Sequence, residues 1–399
     1  MEPVSKVARA ESEARSASFR AGSARVLVIG AGPAGMATVA DLLARGVAVR
    51  HVDRTGETGG AYTRMHAGIQ MSSQSAFIGL PGVPFVTGAR YAQVGAYRAY
   101  LRRYAQVYSL APEPMQVERI HYRGRGDLLV TMTDTSRPER DGEVEMAGGY
   151  HSVVVATGMF DHPIRPDIPG LPADGPATGG RPEVAHAAAW AGPVGVRDRR
   201  VLIVGGAASG VEIAEACAQH GARVVVSTRS GRSLLVDRRV LGIDLTPYGN
   251  SAVARLPPWI AYGACERGYT APGLDLGFSD LRARGLIEVR GPIVRFEGRR
   301  AVFADGRAGE PFDRIVLATG YRHAHSFAPP GLARTAAGLP RTRACQSVSH
   351  PGLYFVGMPC AHNLNSAYLY GMARDSRRVA YAIARALGTE RPRTERPWE

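Results

Sequence analysis

Lysine is almost missing from this chain of 399 residues: Lys6 is the only one among 49 basic residues, and the rest are arginine. The formal net charge of +14 therefore rests on arginines scattered along the whole chain. A nucleic-acid surface needs its basic residues gathered on one face or in blocks, so this distribution does not support one. Arginine alongside abundant alanine and glycine fits the codon usage of a GC-rich genome. Long apolar runs are also lacking. No stretch of 18 apolar residues occurs, which leaves no candidate membrane span. The opening "MEPVSKVARAESEARSASFRAGSAR" mixes both charges and has no apolar segment, so it is not a secretory signal. Residues 1–24 read as a flexible leader. Cysteine is scarce: Cys217, Cys265, Cys345 and Cys360 lie far apart, with no C-x-x-C. That spacing argues against a disulfide framework, a zinc knuckle and a redox-active disulfide. A reducing cytoplasm is the expected setting. No nucleophile–base–acid set points to a hydrolase, and no clustered His, Cys and Asp residues point to a metal site.

What the chain does have is a repeated unit. "VLVIGAGPAGMATVADLLARGVAVRHVD" (Val26–Asp53) reads as strand, glycine turn, helix and strand, and so does "VLIVGGAASGVEIAEACAQHGARVVVSTRS" (Val201–Ser230). Apolar runs mark strands at Arg25–Gly30, Ala48–Asp53, Ser152–Ala156, Arg200–Gly205, Arg223–Thr228 and Asp313–Ala318. Helices are predicted at Pro33–Arg45 and Ser209–His220, each ending in glycine (Gly46, Gly221), the usual left-handed cap. Alternating strands and helices imply parallel βαβ units and a doubly wound sheet. The polar stretch 132–150 reads as a hairpin turning near Asp141-Gly142. Two Pro/Gly-rich joints, Phe160–Gly180 and Tyr321–Gly331, bracket the second unit. The fold class expected is α/β, with two Rossmann-like dinucleotide-binding domains, the second inserted in the first. The boundaries are 25–165 with 321–390 for the first domain, 166–320 for the second, and 391–399 as a tail. The spacing of Met372, Val379, Ala380 and Ile383 predicts a C-terminal helix packing back on the first domain.

In "GAGPAG", Gly30 permits a tight turn, Gly32 lets backbone approach a pyrophosphate, and Gly35 lets helix and strand pack closely. Pro33 and Ala34 open the helix whose N-terminus offers N–H groups to phosphate. Asp53 ends the next strand, 18 residues after Gly35, where a carboxylate can bind ribose hydroxyls. The glycine pair of "TGETGGAYTRMH" would suit a cofactor as long as FAD.

In this order and spacing the motifs resemble the flavin-containing monooxygenase group of two-dinucleotide-domain flavoproteins, over roughly residues 25–385. The matches are "GAGPAG" followed by Asp53, "GGAY" (Gly59–Tyr62), "GGAASGVE" (Gly205–Glu212), "VVATG" (Val154–Gly158), "VLATGY" (Val316–Tyr321) and "LYFVGMP" (Leu353–Pro359). The resemblance implies FAD contacts at Arg54, Gly60, Ala61, Tyr62, Ala156, Thr157, Gly158 and Gly357, and a backbone contact to adenine at Val117. It implies NADPH at Gly205, Ala208, Ser209, Gly210, Thr319 and Gly320. The family also carries a fingerprint between its domains, of which only "HAAAW" (His186–Trp190) is present, so His186 reads as a linker residue before a functional one, and not as a base.

The doubling has a chemical reason under this resemblance: a bound flavin must be reduced, and the second unit would hold the donor. Arg229, just past the second strand, can pair with a 2′-phosphate, which favours NADPH over NADH. Ala207 replaces the glycine where backbone should come nearest to phosphate, adding a methyl group there. The implied activity is oxygenation of a small molecule with O2 through a C4a-peroxyflavin. Ser72, in "IQMSSQ", stands where the family carries an asparagine beside the flavin, and it is the catalytic candidate. A flavin reductase or dehydrogenase without oxygen transfer, and a non-catalytic nucleotide-binding sensor, are the competing readings. Neither a nucleic acid nor a membrane is an expected partner, and a homodimer is left open.

Overall fold

The computed structural model describes residues 24–136, 144–236, 239–240, 243–244, 263, 265–266, 272–322 and 325–389. The expected leader, the turn near Asp141-Gly142 and the tail 391–399 lie outside the described residues, apart from Ala24 at the leader's end.

Two mainly parallel sheets carry the molecule. The first contains β1 (Val26–Ile29), β2 (Val49–Asp53), β3 (Glu113–Gly124), β4 (Asp127–Asp134), β5 (Val144–Tyr150) and β6 (Ser152–Val155). The second contains β7 (Glu183–His186), β8 (Arg200–Val204), β9 (Arg223–Ser227), β10 (Ile287–Arg290) and β11 (Arg314–Leu317). β12 (Leu353–Phe355) returns to the first sheet. Its strand order is β12-β6-β1-β2-β3-β4-β5, with two short strands, Thr342–Arg343 and Gln346–Ser347, beyond β12. β1 pairs in parallel with both β2 and β6, while β3, β4 and β5 form an antiparallel meander. The second sheet runs β10-β9-β8-β11-β7, all parallel. In each sheet the strand before the glycine turn lies between its two neighbours. That is the point of reversal where open α/β sheets leave a crevice for ligand.

The local sequence accounts for these elements. β1 reads VLVI and every residue in it is buried, as expected of a strand covered on both faces. α1 (Pro33–Leu43) begins with proline at its first turn, where the missing N–H costs nothing. Its chain leaves through Gly46 at φ +70°, and α3 (Ala208–Gln219) leaves through Gly221 at φ +86°. α2 (Val94–Val107) buries Tyr97, Tyr100, Leu101 and Tyr104 against the loop 78–83. The Tyr100 hydroxyl donates to the Val83 carbonyl and accepts from Leu80 N–H, and Tyr104 donates to the Pro81 carbonyl. The two Pro/Gly-rich joints run side by side: Ile164 N–H bonds the Gly320 carbonyl at 2.9 Å and Arg322 N–H the His162 carbonyl at 2.8 Å.

α4 (Leu369–Leu387) packs on α1 through buried Val379, Ala380 and Ile383. At that contact the Ser376 hydroxyl donates to the buried Asp41 carboxyl at 2.8 Å. Burial pushes Asp41 up to about 6, partly offset by this bond. A carboxyl raised above its unfolded value binds an extra proton in the folded state. Stability therefore falls as pH rises from the unfolded value of 3.8 through about 6. Ser376→Ala should cost about 1–3 kcal/mol at pH 8, where the ionised carboxylate loses its donor, and less at pH 5. Urea unfolding at the two pH values measures both losses.

One expectation is overturned. Cys265 and Cys360, 95 residues apart in sequence, form a disulfide with their Cα atoms 6.0 Å apart. Sequence spacing does not limit pairing when the fold returns a distant segment, as it does here. The neighbouring Glu266 carboxylate also pairs with Arg341 at 2.7 Å and accepts from Ala336 N–H at 2.8 Å. Cys217 and Cys345 are free and buried. No helix among the described residues is long and apolar enough to cross a membrane.

Candidate functional site

A single cavity of about 1320 Å³ is walled by both glycine turns. That exceeds the few hundred to roughly 1,000 Å³ of an ordinary small-ligand pocket. From the first unit it is lined by Gly30, Gly32, Pro33, Ala34, Asp53 and Arg54, then by Gly60, Ala61, Tyr62 and Ser72. Ala156, Thr157, Gly158 and Gly357 complete that side. From the second unit come Gly205, Ala207, Ala208, Ser209, Glu212, Arg229, Thr319 and Gly320. Gly35 and Gly210 stay out of the lining because they serve packing. A Cβ on Gly35 would fall on the Gly30 carbonyl, and one on Gly210 on the Gly205 carbonyl. Val117 is not in the lining either. Its side chain is buried in the core, and it stands opposite Met132 in the β3–β4 ladder.

The first turn is shaped for a phosphate. The first intrahelical bond of α1 is Met36 N–H to the Gly32 carbonyl at 2.9 Å, which leaves the Ala34 and Gly35 N–H groups without helical acceptors. Gly32 is extended, at φ −72° and ψ 179°, so it is glycine for space rather than for conformation. A Cβ there would find only the Gly60 Cα, at 3.9 Å. Gly60 is constrained twice over: its φ is +56°, and a Cβ would stand 2.8 Å from the Gly32 Cα. Asp53 accepts from Ala31 N–H at 2.8 Å and from Thr55 N–H at 2.8 Å, which ties the end of β2 to the turn. Its Oδ1 also accepts from the Thr55 hydroxyl at 2.6 Å, while Oδ2, bonded to Ala31 N–H, keeps a lone pair that a sugar hydroxyl can use.

The second turn repeats this plan. Val211 N–H bonds the Ala207 carbonyl at 3.0 Å, leaving the Ser209 and Gly210 N–H groups without helical acceptors. Ala207 has φ −94° and ψ −167°, an extended conformation that alanine adopts without strain. The methyl group therefore costs cavity space and nothing in the backbone. Arg229 is exposed at the rim, and no carboxylate among the described residues pairs with it. Arg232, which sequence reasoning passed over, lines the same rim three residues later. Two glycine turns with free N–H groups, a carboxylate at one strand end and guanidinium groups at the other fit two dinucleotides, the second carrying an extra phosphate.

His186 is buried and its Nδ1 accepts from Ala188 N–H at 3.1 Å, capping a short 3₁₀ turn. Burial lowers its pKa, so the ring is neutral. Its ring stands edge-on to Tyr321, 5.0 Å between centroids. This local bond explains the residue without a catalytic role.

A side chamber of about 270 Å³ adjoins the main cavity. Ala61, Met65, Ile69, Phe160, Tyr321, Ser209 and Glu212 line both spaces. Phe160 and Tyr321 meet edge to face at 5.1 Å. Arg54 and Arg64 both reach the same Asp161 oxygen at 2.8 Å, so one carboxylate serves two guanidiniums at this wall. Burial pushes the Glu212 carboxyl up to about 8, with the nearby Ser72 side chain holding it down and Glu215 adding to the rise. Glu212 is part of the second unit's motif, but its meeting with Ser72 spans 140 positions and left no sequence signal.

A family model described as pyridine nucleotide-disulphide oxidoreductase matches residues 27–256. The probable indole-3-pyruvate monooxygenase YUCCA1 of Arabidopsis thaliana is 25% identical over 388 residues, covering 90% of this chain and 89% of that protein. A flavin-containing monooxygenase from Stenotrophomonas maltophilia is 23% identical with TM-score 0.68, covering 91% of this chain and 98% of that one. A bacillithiol disulfide reductase from Bacillus cereus is 22% identical with TM-score 0.65, covering 90% and 98%. The two solved structures share the α/β fold with paired Rossmann-like sheets.

Proposed function

The chain belongs to the pyridine nucleotide-disulphide oxidoreductase family, and from that premise we propose that it is an FAD- and NADPH-dependent monooxygenase of a small molecule. The observation that carries this reading is the single cavity joining both glycine turns, which lets an electron donor and an acceptor meet face to face. The monooxygenase relative along nearly the whole chain supports it. No cysteine lines the cavity among the described residues, so a thiol relay to a disulfide substrate has no residues there.

The first lobe, 25–165 with 321–390, would hold FAD, and 166–320 would hold NADPH. The chemistry that bound FAD would supply is redox transfer, with NADPH as the two-electron donor, one oxygen atom of O2 going to substrate and the other leaving as water. The chain's own residues bind and orient. The Ala34 N–H group would receive the FAD pyrophosphate and Asp53 the ribose, while Gly60, Ala61 and Tyr62 close over the remainder. Ala156–Gly158 and Gly357 complete the lining on that side. The Ala208 and Ser209 N–H groups would receive the NADPH pyrophosphate, with Thr319 and Gly320 beside it. Tyr62 and the aromatic wall of Phe160 and Tyr321 exclude water.

Denatured protein should release FAD rather than FMN on chromatography. Incubation with NADPH, 18O-labelled O2 and candidate amines, sulfides or ketones should yield a product heavier by one labelled oxygen. NADPH oxidation with no labelled product from any of them would replace this reading with the reductase one. Arg229→Ala should raise KM for NADPH about tenfold and leave NADH unchanged, because an exposed charge-assisted contact contributes roughly 1.5 kcal/mol. Steady-state kinetics with both donors tests it; an equal loss for both would remove Arg229 from phosphate recognition.

A further inference from the structure

Glu212 is a carboxyl in the cofactor cavity that no cation among the described residues compensates. It sits one turn beyond Ser209 on the same face of α3, and both residues line the main cavity and the side chamber. Its neighbours are the Ser72 hydroxyl from the first lobe and Glu215 on its own helix, and its charge is felt by the Tyr62 phenol. Across the side chamber stand Tyr321, Arg54, Arg64 and Asp161. The two guanidiniums there are both turned to Asp161, and neither lowers the Glu212 pKa. An ionised Glu212 thus lacks a counter-charge, and a ligand can supply one.

The ligand proposed for this lobe changes charge when it reacts. The oxidised nicotinamide ring is a cation and the reduced ring is neutral. We propose that Glu212 distinguishes the two redox states of the bound dinucleotide, acting as the counter-charge of the oxidised ring and so favouring retention of NADP+ over NADPH. This inference rests on the NADPH reading above. Burial holds the acid protonated at neutral pH, with its pKa near 8, until a cation arrives. NADP+ binding should then expel the Glu212 proton into solvent, and binding of a neutral ring should not. The affinity for NADP+ rises with pH until Glu212 is ionised without help, and then levels off.

The test is calorimetric binding to the FAD-loaded protein at pH 6.5 to 9. The two ligands are NADP+ and 1,4,5,6-tetrahydro-NADP, whose ring is neutral and gives no hydride. The 2′-phosphate titrates alike in both, so it cancels in the ratio of their dissociation constants. In the unaltered protein that ratio should shift toward NADP+ by about tenfold between pH 7 and 9. In Glu212→Gln it should stay flat, with NADP+ weakened about tenfold at pH 9 and little changed at pH 6.5. A flat ratio in the unaltered protein, or the same slope in Glu212→Gln, overturns the role of Glu212 while leaving the NADPH reading standing. If neither ligand binds a folded, flavin-loaded protein, both fall together. The pH series on the unaltered chain decides the matter even if the variant does not fold.

Discussion

Gly32→Leu should give a folded protein that purifies colourless, while Gly35→Ala should fail to reach a stable fold. The two glycines belong to one motif but do different physical work. Gly32 is extended and open, and a methyl group added to it would meet only the Gly60 Cα, at 3.9 Å. A leucine there keeps the backbone and fills the space where pyrophosphate would lie. FAD affinity should fall at least about a hundredfold, roughly 2.8 kcal/mol. Gly35 instead presses α1 onto the turn, and a Cβ would run into the Gly30 carbonyl, its carbon 2.9 Å away. That contact is backbone on backbone and cannot yield by a rotamer change. Overpacking of this kind costs about 1–3 kcal/mol or more. Circular dichroism and flavin content, measured on both variants, separate the roles. A yellow Gly32→Leu protein with normal flavin content would move the first phosphate site elsewhere.

The same contrast shows what is legible in the sequence. Buried parallel strands read as unbroken apolar runs, so β1, β2, β6, β8, β9 and β11 appear within a residue or two of where they form. The glycine turns announce themselves because backbone geometry and close approach admit little else. The wall between the lobes is different. Ser72 and Glu212, or Cys265 and Cys360, meet only because two sheets dock, and no periodicity records a docking. Ala207 reads in sequence as damage to a phosphate loop. Its extended backbone shows that the loop accepts alanine at no conformational cost.

Without substrate, the protein should consume NADPH and return nearly all the electrons as hydrogen peroxide, and Ser72→Asn should suppress that leak. Ser72 lines the cavity and offers one hydroxyl. That hydroxyl already stands beside Glu212, whose pKa it helps to lower, so it is not free to serve a second acceptor. An asparagine amide carries two donor hydrogens and a separate acceptor oxygen. One hydrogen can remain with Glu212 while the rest of the group faces the cavity. A single preorganised contact to developing charge is worth on the order of 3 kcal/mol, about a hundredfold in rate or lifetime. Peroxide released per NADPH oxidised, measured with a coupled peroxidase in the absence of substrate, should drop sharply in Ser72→Asn. Ser72→Ala should leave the leak high and raise the Glu212 pKa further, moving the NADP+ affinity profile toward alkaline pH. A tightly coupled unaltered enzyme, with little peroxide per NADPH, would show that other groups protect the reduced flavin and that Ser72 is a wall residue only.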